Sequence, residues 1–198
     1  LFTASGRFPA RWPQAGQHTQ WPGTGLRGDP IFDAVFASQM PFPENTELME
    51  VGFRAAMRPL LEELGPVVLL THSRGACLGW VLCDEHPDLV CAVVTVEPAG
   101  PPAANYFNGL AHLPWGLTNS PIGYDPPTAP PENLRWKASH SEGAGDPYML
   151  YAGEPRTLAS LLSTPVLVVT GEASYHAAYD HITVEFLKTM SVTVSHMQ

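Results

Sequence analysis

Pro66-Val67-Val68-Leu69-Leu70-Thr71-His72-Ser73-Arg74-Gly75-Ala76-Cys77-Leu78-Gly79-Trp80 is the stretch whose reading decides the fold. Its aliphatic and β-branched run, opened by a proline and closed by a small-residue cluster, predicts a strand buried on both faces. A helix follows at once through Ala76, Leu78, Trp80, Val81, Leu82 and Cys83, and stops at His86-Pro87. A serine squeezed between such a strand and helix sits on a tight, strained turn that lifts its hydroxyl above the sheet and demands small neighbours. Thr71-His72-Ser73-Arg74-Gly75 keeps the serine and second glycine of the G-x-S-x-G nucleophile elbow, with threonine at the first glycine. Ser73 is read as a nucleophile on this context; the alternative is a buried serine in an ordinary βα turn.

Outward from this stretch, Asn45 or Thr46 is placed to cap a helix whose first turn carries Glu47 and Glu50. Met49, Phe53, Met57, Leu60, Leu61 and Leu64 give it one apolar face, Pro59 should kink it, and Gly65-Pro66 ends it. Downstream, Leu89 to Val96 reads as a second buried strand, Pro165 to Thr170 as a third, and Val192-Thr193-Val194 as the start of a fourth. A short helix around Leu158 to Leu162 precedes the third strand, and another opens near Asp180. Strands alternating with helices through short connections predict an α/β fold, a doubly wound, mostly parallel sheet. Between the second and third strands, residues 98–157 hold 11 of the 21 prolines, interleaved with Trp115, Tyr124, Trp136, Tyr148 and Tyr151, too many breakers for a central strand. This segment is expected to be a cap-like insertion above the strand ends. Residues 1–44 have neither helical nor strand period and are expected to be an irregular excursion.

At 198 residues and 44% apolar, the chain suits one domain, 1–198, with a full core. A formal charge of −9 argues against nucleic acid, and no apolar run approaches the ~20 residues of a membrane span. Cys77, Cys83 and Cys91 are odd in number and set in apolar context, which predicts buried thiols rather than disulfides. Gly23-Thr24-Gly25-Leu26-Arg27-Gly28 matches the dinucleotide fingerprint, but Pro22 precedes it and Asp29-Pro30 follows, where the motif requires a strand and a helix. No cofactor is expected.

A serine hydroxyl needs a histidine to take its proton and a carboxylate to orient that histidine. Glu97, directly after the second strand, and Glu172, just beyond the third, stand at strand ends where such groups collect. Proteins with this elbow usually draw the acid from the third-strand loop, and that slot, three beyond Gly171, is here Ser174. Glu97 is therefore the stronger candidate. The oxyanion should be met by the backbone N–H of Arg74, together with an N–H from a loop after an earlier strand that this chain does not supply. His72 should point away from the site and pack. His176, Asp180 and His181 imitate a metal cluster without a third well-spaced ligand, so pocket lining or hydrogen bonding is the expected role.

The elbow, Val94-Thr95-Val96-Glu97-Pro98, Pro114-Trp115-Gly116-Leu117-Thr118, Tyr124-Asp125-Pro126-Pro127, Ser174-Tyr175-His176 and Tyr179-Asp180-His181 resemble a group of bacterial and fungal α/β-hydrolase-fold serine esterases. The resemblance runs over nearly the whole chain, including Trp21-Pro22-Gly23-Thr24-Gly25. It implies a triad of Ser73, Glu97 and a histidine on a loop after the last strand, beyond His196, and a pocket lined by His176, Trp115 and Tyr175. The elbow there commonly has glutamine at the place of Arg74. The chain is expected to be an internal fragment, without the first strands and the catalytic histidine, and inactive alone. The complete protein is expected to hydrolyse small-molecule carboxylic esters through an acyl-enzyme, with self-association, where present, as a homodimer. The competing readings are a catalytically incomplete binding protein and another acyl-transfer or lyase activity on the same fold.

Overall fold

The computed structural model describes residues 3–4, 12–41, 43–103, 113–128, 134–139 and 148–198; parts of the expected excursion and insertion lie outside the described residues. The first elements are a 3₁₀ turn over Pro13–Gln17, helix α1 over Pro30–Ala37 and helix α2 over Thr46–Leu64. Strand β1 (Val67–His72), helix α3 (Gly75–Glu85) and strand β2 (Val90–Val96) follow. The segment expected to be an insertion carries a hairpin of β3 (Trp136–Ser139) and β4 (Tyr148–Tyr151). Strand β5 (Val166–Val169), helix α4 (Asp180–Thr189) and strand β6 (Val194–Met197) complete the chain. The main sheet has the order β1-β2-β5-β6 with every pairing parallel, and helices flank it, so the molecule has the α/β fold expected.

Helix α1 corrects the reading of residues 1–44 as wholly irregular. Asp29 accepts from the N–H groups of Ile31 and Phe32, and Pro30 fills the first turn, where its missing N–H costs nothing. The glycine-rich stretch before it folds back on the same carboxylate, with Thr24 N–H donating to Asp29 Oδ2. The helix N–H groups that a pyrophosphate would need are thus already engaged. Helix α2 is capped by Asn45, which accepts from Leu48 N–H, and runs through Pro59 as one element. Its buried positions are Glu50 and Leu61, whereas Leu60 and Leu64 of the expected apolar face are exposed. Glu50 accepts from Asn119 N–H, Asn119 Nδ2 and Ser120 N–H at 2.6–3.0 Å, so a carboxylate assigned to the helix dipole instead ties α2 to the insertion. Asp84 of α3 does the same, accepting from Gly123 N–H and Ser160 Oγ at 3.0 Å.

One core cluster joins Ala76, Trp80, Val81 and Cys83 of α3, Val93 of β2, Val166 and Val168 of β5, and Val184, Phe186 and Leu187 of α4. Leu117, Ile122 and Tyr124 bring the insertion into the same cluster. The parallel register places Leu70, Val94, Leu167 and Ser195 side by side on the opposite face of the sheet. That face is open among the described residues: Val68 is 61% exposed and Leu70 75%. The expectation that β1 is buried on both faces therefore fails, because its side chains alternate between a covered face and an uncovered one. Cys91 also departs from expectation, being exposed, while Cys77 and Cys83 are buried free thiols.

Candidate active site

The turn between β1 and α3 is built by a swap of bulk between strand and helix. Thr71, in place of the motif's first glycine, directs its methyl at Gly79, one turn into α3, where a Cβ would come within 2.8 Å of Thr71 Cγ2. Gly75, the motif's second glycine, meets no such crowding. The close approach that the motif requires is therefore made through Gly79. Ser73 follows with φ 52, the left-handed region that costs a side-chain-bearing residue about 1–3 kcal/mol. Arg74 is in helical geometry at the head of α3, so its peptide N–H belongs to the positive end of that helix.

Glu97 ends β2 with φ 47, so two of the three non-glycine residues with positive φ among those described stand at neighbouring strand ends. Backbone bonds lock the pair together. Ser73 N–H donates to Val96 O at 3.0 Å, Ala99 N–H donates to Ser73 O at 2.9 Å, and Glu97 N–H donates to Val169 O at 2.8 Å. Glu97 thus sits between β1 and β5, with its peptide held from both sides. Its carboxylate Oε1 accepts from Gly171 N–H at 3.3 Å.

Beside Glu97 opens a cavity of about 320 Å³, lined by Trp12, His18, Glu97, Gly171, Glu172, Ala173, Ser174 and Tyr175. The N-terminal segment forms one wall, since Trp12 Nε1–H donates to Ala173 O at 3.1 Å and its ring meets Tyr175 edge-on. Tyr175 lines this cavity, and burial together with the charge of Glu97 pushes its hydroxyl pKa up. Trp115 is elsewhere: it packs against the core cluster, and its carbonyl accepts from Tyr124 OH. His176 does not line this cavity either. It is 2% exposed, with Nδ1 2.9 Å from Asp180 Oδ1 and Nε2 3.1 Å from Tyr179 OH. Burial pushes the Asp180 carboxyl pKa up, against the hydrogen bonds and charge of His176 that lower it.

The remaining histidines separate. His72 is exposed on the open face of the sheet, His181 meets the ring of Tyr148 edge-on, and His196 Nε2 lies 2.9 Å from Thr170 Oγ1. Burial, then the charge of His196, holds the His181 pKa down. His18 is the imidazole lining the Glu97 cavity among the described residues, and sequence reasoning passed over it because the segment carrying it has no period. Its Nδ1 is buried without a hydrogen-bond partner, a signal visible only in three dimensions. Among the described residues, no three His, Cys, Asp or Glu side chains converge as metal ligands.

No family model matches the chain, and no solved structure matches it. It is similar to a probable secreted lipase, phiG, of Fungal sp. (strain ATCC 74256), at 39% identity over 192 residues. The match takes in 92% of this chain and 51% of that protein, so the chain spans about half the length of the curated relative it matches.

Proposed function

We propose that this chain is the nucleophile-and-acid half of a carboxylic ester hydrolase that works through an acyl-enzyme. The observation that carries the reading is the pair of strained residues, Ser73 and Glu97, at adjacent strand ends and joined through their backbones. Strain is retained where a particular side-chain direction is worth its cost, and acyl transfer uses a hydroxyl and a carboxylate on either side of one imidazole, an arrangement that adjacent strand ends suit. Similarity to a protein named a lipase supports the same reaction class.

In this mechanism Ser73 Oγ attacks the ester carbonyl while an imidazole takes its proton, and the Glu97 carboxylate orients that imidazole and stabilises its cation. The peptide N–H of Arg74 meets the developing oxyanion at the head of α3. The imidazolium then protonates the leaving alcohol, and water repeats the sequence on the acyl-enzyme to release the acid. The base in this reading is a histidine of the longer protein, because His176 and His196 are engaged with Asp180 and Thr170, and the lining of the cavity that His18 shares with Glu97 does not include Ser73. The same longer protein supplies the second oxyanion donor.

The test is a fluorophosphonate probe followed by peptide mapping, with turnover of a short-chain p-nitrophenyl ester measured in the complete protein. Label on Ser73, and loss of both label and turnover in Ser73→Ala, is the expected result. Label on Ser174 with Ser73 untouched overturns the reading, and an intact protein without label or turnover marks a catalytically incomplete binding protein instead. Residues 1–198 alone should show no turnover above background, since losing one oxyanion donor costs about 10²–10³ in rate and the base is lost as well.

A further inference from the structure

Thr170 and Gly171 are consecutive residues at the end of β5, and each is held by a different partner. Gly171 N–H meets Glu97 Oε1, and its lack of a side chain permits the approach, since a Cβ there would stand 3.0 Å from that oxygen. Thr170 is held by backbone and side chain together: its N–H donates to Met197 O at 2.8 Å, and its Oγ1 donates to Asp180 Oδ2 at 2.7 Å. The single hydroxyl proton of Thr170 is spent on Asp180, so the 2.9 Å contact with His196 Nε2 requires the imidazole N–H to donate. Asp180 Oδ1 is met in turn by His176 Nδ1, and the loop from Gly171 to Tyr179 is closed by its own turns, Ser174 N–H to Gly171 O and His176 N–H to Ser174 Oγ.

We propose that Thr170, Asp180 and His176 are positioning residues for Glu97, holding the Gly171 peptide N–H against Glu97 Oε1 so that the carboxylate faces the base. The proposal rests on the reading of Glu97 as the acid. Its physical basis is that Asp180 is 0% exposed and His176 2%, and a buried carboxylate and imidazole are retained only when their polar atoms are met. Here both Asp180 oxygens are met, one by the residue before the loop and one by a residue within it, so the network fixes the loop rather than one residue. Asp180 is also the first residue of α4, where the helix dipole favours its charge. The clamp therefore joins the strand end that carries Gly171 to a rigid helix. Glu97, just past the end of the adjacent strand β2, receives a donor carried by that clamp.

The test uses the complete protein, labelled with ¹⁵N-glycine, and the variants Thr170→Val, Thr170→Ser and Glu97→Gln. Thr170→Val keeps the shape and removes the hydroxyl, and should lower kcat about 10-fold with KM within about twofold, because misplaced catalytic groups lose rate before binding. Thr170→Ser should restore it. On the Glu97→Gln background Thr170→Val should cost nothing further, since residues that act through one another are not additive. An equal fold-loss on both backgrounds, or no loss on either, overturns the proposal. If Thr170→Val does not fold, Asp180→Asn takes its place in every arm. The contact is also read without catalysis: the Gly171 amide resonance should follow ionisation of Glu97 in the native protein and in Thr170→Ser, and lose that dependence in Thr170→Val. An amide that follows Glu97 unchanged in Thr170→Val overturns the positioning role even if the protein hydrolyses no ester. Full activity in Glu97→Gln overturns the triad reading, and the amide measurement still decides the clamp.

Discussion

Glu97 and Glu172 both line the cavity, yet only Glu97 has its peptide held between two strands and its carboxylate met by a fixed N–H. Glu172 is exposed. Glu97→Gln should therefore lower kcat by about two to four orders of magnitude with the fold retained, because an amide orients imidazole poorly and stabilises its cation less. Glu172→Gln should stay within about threefold of the native rate, because its exposed side chain lacks the held peptide and fixed donor that orient Glu97. Reversed effects in a kcat comparison would move the acid to the loop after β5. The exchange of bulk between Thr71 and Gly79 makes a second residue-scale test. Alanine normally gains up to about 1 kcal/mol over glycine inside a helix, but overpacking costs about 1–3 kcal/mol, and the β-branched Thr71 has little rotamer freedom to move aside. Gly79→Ala should lower the denaturation midpoint, and Thr71→Ala in the same chain should return it. A stabilised Gly79→Ala single variant would show that the strand and helix have room the structure does not give them. The places of Ser73 and Glu97 just beyond strand ends were legible in the sequence, because each follows an apolar run closed by a polar or small residue. The bond from Thr170 to Asp180 was not, since Thr170 read as a strand end and Asp180 as a helix start, and spacing grouped Asp180 only with His176 and His181.

At the scale of elements, β1, α3, β2, β5 and α4 were readable because each couples a periodic apolar pattern to a stop residue, Gly65-Pro66 and His86-Pro87 among them. Helix α1 was not, because it is eight residues long and stands in a stretch crowded with proline and glycine; its cap, Asp29 before Pro30, was the signal available. The β3–β4 hairpin was hidden by the prolines and glycines around it. Burial is the other property that pattern alone did not give, as the cysteines illustrate. Cys77 and Cys83 lie in α3 with thiol pKa values pushed up to about 12, first by burial, whereas Cys91 on β2 is exposed. The thiolate is the reactive form, so a maleimide at pH 7.5 should modify one thiol per folded chain, mapped to Cys91, and reach the other two only on denaturation. Three thiols reacting at one rate in the folded protein would mean that α3 does not pack as described.

For the whole molecule, the decisive asymmetry is between the two faces of the main sheet. One face carries Leu69, Val93, Val166 and Val168 into the core cluster with α3 and α4. The other presents Val68, Leu70 and Met197 at 61, 75 and 59% exposure, with Val94 and Leu167 between them half-buried. β1 is moreover an end strand of the sheet, so its outer backbone edge has no strand beside it among the described residues. Covering one such aliphatic side chain is worth about 1.5–3 kcal/mol, so a contiguous row of them favours contact with another apolar surface over water. On the proposed reading of this chain as half of a longer protein, further chain would take that place. Residues 1–198 alone should instead associate through this face, and Val68→Thr combined with Leu70→Lys should reverse it, because the charge would have to be desolvated in any contact. Sedimentation velocity across a concentration series reads the outcome: weight-average mass rising with concentration in the native chain, and a concentration-independent monomer of native circular dichroism in the double variant. A native chain that stays monomeric at millimolar concentration would show that the open face is not adhesive, and would remove the physical reason for expecting a covering segment.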